Sequence, residues 1–180
     1  MQIDFENYSI APIQEKDAWR LCDFMVSNSE RFATYFPQTL KENLSPTLSE
    51  LFVAKKTKSF LNKEEFLFTV KENTNRSIIG LVYVKELQKK QGQGELAYCI
   101  GYQYTRKGLM RKIIARLIPW CFNEANLDTL QVIVNAENIA SKKVAENNLF
   151  AWQKTLLKAF QLPNGNFADM ELYELYKPSP

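Results

Sequence analysis

The sequence predicts an α+β fold, and three observations lead to that class. Two segments, 66–71 and 78–87, alternate apolar and polar residues and are joined by the turn residues Asn73–Arg76. A third strand follows at Glu95 after another polar turn, so the three strands form an antiparallel meander. From Leu109 the apolar period becomes helical. A β-branched strand and another helix then follow.

The predicted order of elements is β-α-α-α-β-β-β-α-β-α-β-β. In chain order we expect a strand at Tyr8–Ile13, helices at Asp17–Val26, Arg31–Pro37 and Thr47–Leu61, strands at Phe66–Lys71, Ile78–Leu87 and Glu95–Tyr102, a helix at Leu109–Asn126, a strand at Leu130–Val134, a helix at Ala140–Asn147, and strands at Phe150–Leu162 and Met170–Tyr176. Thr47 to Glu50 fits a capping box and marks the start of its helix. No repeat or linker divides the chain, which predicts a single domain over residues 1–180.

Composition and charge narrow the possible functions. Apolar residues make up 46% and charged residues 24% of the chain, as in ordinary globular proteins. The net charge of +3 comes from 23 basic and 20 acidic residues, a balance that does not favour nucleic acid as a partner. We expect no membrane partner either, because no run is long enough to span a bilayer. The three scattered cysteines and the absence of a signal peptide predict free thiols and a cytoplasmic protein.

The chain contains no histidine. This excludes a Ser-His-Asp or Cys-His nucleophile system and the usual zinc ligand sets, so we expect no metal. Any acid or base must then be a carboxylate, a tyrosine, a cysteine, a lysine or water.

The stretch from Glu95 to Ser141 holds the candidate cofactor site. A strand passes through the basic turn 105–108 into an apolar helix, and Asn138 later opens another helix. Backbone N–H groups at such a helix start, together with the positive end of the helix dipole, suit a phosphate. Taken alone, Gly108 is equally well explained as a turn glycine and Asn138 as a helix N-cap.

These residues resemble the GNAT superfamily of acetyl-CoA-dependent N-acetyltransferases, and within it the ribosomal-protein N-acetyltransferase type. The family's Glu-aliphatic-Gly-Tyr strand is matched by Glu95-Leu96-Ala97-Tyr98, and its phosphate loop, Gln/Arg-x-x-Gly-x-Gly/Ala, falls on Thr105–Met110. Downstream, Asn-x-x-Ser falls on Asn138–Ser141, Val-Ala-Glu on Val144–Glu146, and Gly-Phe on Leu149-Phe150. The resemblance covers nearly the whole chain. It implies an α/β/α sandwich with a mixed, mostly antiparallel central sheet flanked by helices.

The sequence departs from the family pattern at several positions. Thr105 and Met110 replace two signature residues of the loop, while Arg106 and Lys107 add positive charge that can pair with phosphate. Leu149 stands where a glycine usually takes a left-handed conformation, and we expect Asn148 to adopt that conformation instead. Ala145 occupies the position of the tyrosine that many members use as a general acid.

The resemblance implies transfer of acetyl from acetyl-CoA, a cosubstrate, to a primary amine such as a protein N-terminal α-amino group. A neutral amine would attack directly through a tetrahedral intermediate. The implied cofactor-binding residues are the strand end at Cys99, Ile100 and Gly101, the loop residues Arg106, Lys107, Gly108, Leu109, Met110 and Arg111, and Asn138 with Ser141.

The implied catalytic residues are Ser141 as proton donor, Glu95 acting through water, and Tyr98 as donor or acceptor. Each has a structural alternative. Glu95 can form a strand-end salt bridge and Tyr98 can pack in the core, while Cys99, a conceivable acyl carrier, is more simply a small buried hydrophobe.

The resemblance places the acceptor wall in the segment after the first helix, with Arg31, Phe32, Tyr35 and Phe36, although these aromatics are more simply explained as part of the core. The expected quaternary state is a monomer or a homodimer. Two other functions stay open: a non-catalytic member that binds CoA or a peptide, and, with little support, nucleic-acid binding through Lys55, Lys56 and Lys58.

Overall fold

The computed structural model describes residues 1–178. Their strands are β1 (Ile3–Phe5), β2 (Tyr8–Pro12), β3 (Phe66–Glu72), β4 (Ile78–Gln88), β5 (Gln93–Ile100), β6 (Thr129–Asn135), β7 (Ala151–Gln161) and β8 (Phe167–Tyr176). The α-helices are α1 (Ala18–Ser27), α2 (Ser29–Tyr35), α3 (Pro37–Lys41), α4 (Pro46–Leu61), α5 (Leu109–Asn123) and α6 (Ile139–Glu146), with short 3-10 helices at Glu15–Asp17 and Tyr102–Tyr104.

The strands are hydrogen-bonded in the order β1-β2-β3-β4-β5-β6-β8-β7. The pairs β1–β2, β2–β3, β6–β8 and β7–β8 are antiparallel, whereas β5 and β6 are parallel. This mixed, mostly antiparallel sheet with its helices confirms the predicted fold class. Two elements were not predicted: β1, which is only three residues long, and α3, which follows α2 after one residue.

The contacts within the chain form two compact units. Unit 1 comprises Met1–Tyr83 and Tyr98–Thr105, and unit 2 comprises Val84–Ala97 and residues from Arg106 onward. The chain passes from one unit to the other three times: within β4, within β5, and between Thr105 and Arg106.

Unit 1 has its core between the strands β2 and β3 and the helices α1 and α4. In the register of β2 and β3, Ile10 lies opposite Val70, and both are inaccessible to solvent. Leu21 of α1 and Val53 of α4 are also fully buried. A buried leucine, isoleucine or valine side chain contributes about 1.5–3 kcal/mol, so this cluster stabilises the unit strongly.

Helix α4 begins two residues earlier than the capping box predicted. Ser45, and not Thr47, is the N-cap, because its Oγ accepts a hydrogen bond from the Leu48 N–H at 3.3 Å. Pro46 occupies the first helical position, where its missing N–H is no loss. The prediction overlooked this Ser-Pro start.

Unit 2 is built on β6 and β8, which pair from Thr129 with Tyr176 to Asn135 with Met170. Helix α5 buries the apolar face that its sequence predicted, with Ile113, Ile114 and Leu117 inaccessible to solvent. It continues through Pro119 to Asn123. Across residues 1–178, none of the helices combines the length and the apolar character that crossing a bilayer requires.

Candidate active site

The loop before α5 has the backbone that an anion site needs. Arg106 and Gly108 both have left-handed backbone angles, with φ of 60° and 67°. Gly108 is the N-cap of α5, but it has no side chain to cap the first N–H groups of the helix. Left-handed residues of this kind occur in backbone loops whose N–H groups bind anions, and the dipole of the 15-residue helix adds positive potential at its start.

Side chains around this loop divide into exposed and buried sets. Arg106, Lys107, Gly108 and Arg111 are exposed. Leu109 and Met110 are buried, with only 5% and 6% of their surface exposed. Leu109 and Met110 therefore anchor the start of α5 and can offer a ligand only their backbone groups. A Cβ built on Gly108 would meet no atom within 4 Å, so open space lies beside the glycine.

Asn138 caps α6, as the sequence predicted. Its Oδ1 accepts a hydrogen bond from the Ser141 N–H at 3.1 Å. The amide Nδ2 of Asn138 has no protein partner among residues 1–178, so it can donate to a ligand while Oδ1 caps the helix. Ser141 is half-buried one turn further along α6.

Asn148 ties α6 to the start of α5. Its Nδ2 donates to the Val144 carbonyl at 2.8 Å and to the Arg111 carbonyl at 3.3 Å. The first turn of α5 and the end of α6 are thus held to each other by a buried side chain. No local sequence pattern indicates this role, because Asn148 and Arg111 lie 37 residues apart.

The predicted left-handed conformation of Asn148 is wrong. Leu149 itself has a positive φ, at 66°, and its side chain is 81% exposed. The buried hydrogen bonds of Asn148 fix that residue, so the left-handed turn falls on the next residue despite the strain on a leucine there. Ala145, at the position of the family's tyrosine, is 1% exposed.

Glu95 forms a salt bridge, which is the structural role that the sequence offered as the alternative to catalysis. Its Oε1 lies 3.2 Å from Lys85 Nζ. Burial raises the pKa of the Glu95 carboxyl above its ordinary value, and the charge and hydrogen bond of Lys85 lower it only in part. A carboxyl with a raised pKa is a better base toward a water molecule than an exposed one.

We expect Lys85→Met to raise the pKa of Glu95 further and Glu86→Gln to lower it. Lys85 stabilises the ionised carboxyl, whereas the negative charge of Glu86 disfavours it. The measurement is an NMR titration of the Glu95 side-chain carboxyl carbon. Lys89→Met, at an exposed lysine, is the control and should leave the midpoint unchanged. Equal midpoints in all variants would contradict this electrostatic account.

Tyr98 can donate a hydrogen bond, but it is not ionised and so cannot act as a phenolate base. Burial raises the pKa of its phenol, so the hydroxyl stays protonated at neutral pH. Cys99 is buried, and burial raises the pKa of its thiol to about 12. A thiol held neutral is a poor nucleophile, which agrees with the packing role of Cys99.

The backbone at the end of β5 is already partly engaged. The Gly101 N–H donates to the Ile79 carbonyl at 2.8 Å, so it is not available to a ligand. Successive residues of a strand alternate between its two edges, so the Ile100 N–H points away from β4. Of the three predicted backbone positions, Ile100 is therefore the best placed to donate to a ligand.

The four predicted acceptor-wall residues differ in exposure. Phe32 is 2% exposed and packs against the Phe24 ring, with ring centroids 5.3 Å apart, so it belongs to the core. Phe36 is half-buried and stacks on Tyr83. Only the Arg31 and Tyr35 side chains are exposed.

Unit 1 also contains a polar groove that the sequence did not reveal. It encloses about 440 Å³ between α1, the turn after β3 and the 3-10 helix Tyr102–Tyr104. Its walls include Asp23, Asn28, Glu72 and Tyr102. These residues are distant in sequence, and no local pattern marks them.

The lysines of α4 do not form a continuous basic face. Lys56 is paired with Glu65 at 2.6 Å and lies over the rings of Phe52 and Tyr83.

Within residues 1–178, no group of three or more acidic or cysteine side chains is arranged to hold a metal ion.

The chain thus has a left-handed loop that opens an amphipathic helix, after a strand that pairs in parallel with the next one. A family model described as the acetyltransferase (GNAT) domain matches residues 9–150. The chain belongs to this acetyltransferase family, as its motifs indicated.

Two bacterial relatives support this assignment. The uncharacterized N-acetyltransferase p20 of Bacillus licheniformis is 27% identical over 112 residues, which cover 62% of this chain and 61% of that protein. YdaF of Bacillus subtilis (strain 168), named as a proposed ribosomal N-acetyltransferase, is 22% identical over 174 residues, or 96% of this chain and 92% of that protein.

Solved structures share the fold. The ribosomal-protein-S5-alanine acetyltransferase from Vibrio fischeri superposes with a TM-score of 0.91 at 22% identity, over 99% of this chain and 100% of that chain. RimL, a ribosomal L7/L12 α-N-protein acetyltransferase solved with coenzyme A, superposes with a TM-score of 0.89 at 13% identity, over 98% of both chains.

Proposed function

We propose that this protein transfers acetyl from acetyl-CoA to a primary amine, and that the acceptor is a protein N-terminal α-amino group. The loop 106–111 carries the proposal, because it pairs two left-handed residues with an uncapped helix start. Several similar proteins bear names that refer to ribosomal-protein acetylation, which supports this acceptor class and a place in the cytoplasm.

Different residues would hold different parts of the cofactor. The N–H groups from Arg106 to Arg111 would bind the phosphates, with Arg106 and Lys107 adding positive charge. The Ile100 N–H and the Asn138 Nδ2 would donate to the carbonyl groups of the pantetheine arm. Backbone donors are independent of side-chain identity, so the loss of two signature side chains from the loop is compatible with binding.

When bound, acetyl-CoA supplies a thioester that is open to attack by a neutral amine. Tyr98, held protonated by burial, can donate a hydrogen bond, and Ser141 is the proposed proton donor toward the departing sulfur. Glu95, with its raised pKa, can accept a proton through water. These roles follow from proton availability at each group.

The acceptor class follows from the shortage of strong bases. An α-amino group has a pKa of about 7.7 to 8, so a useful fraction is already neutral near pH 7. A lysine amine, with a pKa of about 10.4, is almost entirely protonated there. The proposed chemistry therefore favours an N-terminal amine over a lysine side chain.

Asn138→Ser should leave the cap of α6 intact but weaken CoA binding about fivefold. Serine is a good N-cap, yet it lacks the amide donor that we assign to the pantetheine arm. Isothermal calorimetry with CoA and thermal melting measure the two effects. Ser45→Ala removes the cap of α4 and serves as the control for cap loss elsewhere. Unchanged CoA affinity in Asn138→Ser would leave Asn138 with a structural role only.

The function itself is tested by calorimetry and thiol release. We expect CoA to bind the wild-type protein and acetyl-CoA to release free thiol with short peptides that carry a free N-terminus. Control peptides that are acetylated at the N-terminus, so that one lysine side chain is their only free amine, should react much more slowly. No CoA binding would refute the proposal, whereas CoA binding without turnover on any amine would support the non-catalytic alternative.

A further inference from the structure

Two side chains from the corner between α1 and α2 hold the backbone at the end of β5. Arg31 Nη1 donates to the Ile100 carbonyl at 3.1 Å. The Tyr102 N–H donates to Asn28 Oδ1 at 2.9 Å, and Asn28 Nδ2 in turn donates to the Phe24 carbonyl at 2.8 Å. All of these groups belong to unit 1.

The hydrogen bonds hold two consecutive peptide groups. The Ile100 carbonyl and the Gly101 N–H belong to one planar peptide, with Arg31 bonded to the first and the Ile79 carbonyl bonded to the second. That peptide is therefore fixed from both of its edges. The following peptide is fixed by the bond from Tyr102 to Asn28.

Gly101 lies between these two peptides, and this explains why they need to be held. Glycine has the widest backbone freedom of any residue, so an unrestrained Gly101 would let the strand end and the next segment rotate independently. Its actual angles, φ −58° and ψ 147°, are ordinary for any residue. Glycine does not by itself enforce this conformation, so the hydrogen bonds on either side hold Gly101 in it.

The Arg31 side chain is well placed for this role. Its guanidinium lies 5.9 Å from the centre of the Tyr102 ring, which favours the orientation that reaches Ile100. Among residues 1–178, no carboxylate lies within salt-bridge distance of Arg31. The Arg31 guanidinium therefore interacts with the segment 100–102.

We infer that Arg31 is a positioning residue for the pantetheine arm of CoA. By fixing the Ile100–Gly101 peptide, Arg31 sets the direction of the Ile100 N–H before the ligand arrives. Ordering this segment in advance removes an entropic cost from binding. The inference is based on the proposed function and gives Arg31 a role different from that of an acceptor-wall residue.

The test compares two ligands, CoA and adenosine 3′-phosphate 5′-diphosphate, which is CoA without its pantetheine arm. In Arg31→Gln, calorimetry should show that the affinity for CoA falls about fivefold to tenfold, because one hydrogen bond from a charged group is lost. The affinity for the truncated ligand should change little. The KM for acetyl-CoA should rise more than kcat falls. Arg20→Gln, at an exposed arginine of α1, is the matched control and should bind both ligands normally.

A rescue variant separates positioning from direct contact. Alanine fits at position 101, since its Cβ would lie 3.4 Å or more from its neighbours, and it has less backbone freedom than glycine. Gly101→Ala in the Arg31→Gln background should therefore recover part of the CoA affinity. Equal weakening of both ligands, or wild-type CoA affinity in Arg31→Gln, would overturn the inference. Failure of the wild-type protein to bind either ligand would instead refute the proposed function.

Discussion

Gly108→Glu is expected to weaken CoA binding by at least about a hundredfold. The new carboxylate would stand beside the proposed phosphate site, and two like charges about 4 Å apart near a protein surface repel by about 4 kcal/mol. The open space beside Gly108 lets the side chain enter without a clash, so the effect would be electrostatic and not a packing defect. Calorimetry with CoA measures the loss.

Gly165→Glu is the matched control for this variant. Gly165 also has a positive φ, at 85°, and a Cβ there would likewise meet no atom within 4 Å. Both substitutions therefore impose a similar backbone strain, but only Gly108 opens α5. Gly165→Glu should melt at a temperature close to that of Gly108→Glu and bind CoA normally. Similar CoA affinity in the two variants would show that the loop does not bind the phosphates.

Asp17→Asn is expected to destabilise the protein by about 3–5 kcal/mol at pH 7. Asp17 Oδ1 lies 2.6 Å from Lys71 Nζ, and the two side chains are only 2% and 3% exposed. Asparagine can still accept the hydrogen bond that the Gln14 N–H makes with Asp17 at 3.0 Å. The variant therefore loses mainly the charge that balances a buried lysine. Urea denaturation measures the free energy of unfolding.

The deficit of Asp17→Asn should narrow as the pH rises from 7 toward 10. Burial lowers the pKa of Lys71 from its ordinary 10.5, while Asp17 raises it, so the pKa falls further without Asp17. Between that folded pKa and the ordinary value, the unfolded chain binds more protons than the folded one. The free energy of unfolding consequently increases with pH across this window.

The double variant Asp17→Asn with Lys71→Met completes the test. It removes both charges, so it should recover most of the stability lost in the single variant and show little of the pH dependence. A double variant as unstable as Asp17→Asn would mean that packing around Asp17, and not the ion pair, stabilises unit 1.

The order of elements could be predicted well because it depends on local patterns. The patterns that predicted β3, β4 and α5 are properties of a few neighbouring residues, and the structure confirms these three elements. Consecutive residues of β3 and of the first part of β4 are buried, so these strands are not the half-buried strands that an alternating pattern predicts. The predicted start of α4 was wrong. The sequence pattern indicated Thr47 as the cap, whereas the structure has Ser45 as the N-cap and Pro46 at the start of the helix.

Parts of the candidate site were also accessible from the sequence. Gly108 and Asn138 act through local backbone geometry, one as a left-handed N-cap and the other as a side-chain cap, and both lie where the motifs indicated. The loop's capacity to direct N–H groups depends on a few consecutive residues. Such features can be read without knowledge of distant contacts.

Contacts between distant residues were decided by the tertiary structure alone. Whether Phe32 lines a wall or fills the core, which carbonyl Arg31 reaches, and which charge balances Lys71 all depend on partners 8 to 69 residues away. The sequence by itself determined the class of fold, the family and the place of the loop that we propose as the phosphate site, because these follow from short-range periodicity and spacing. Burial and long-range hydrogen bonds determined which side chains remain free to act, because these properties exist only once the chain has folded.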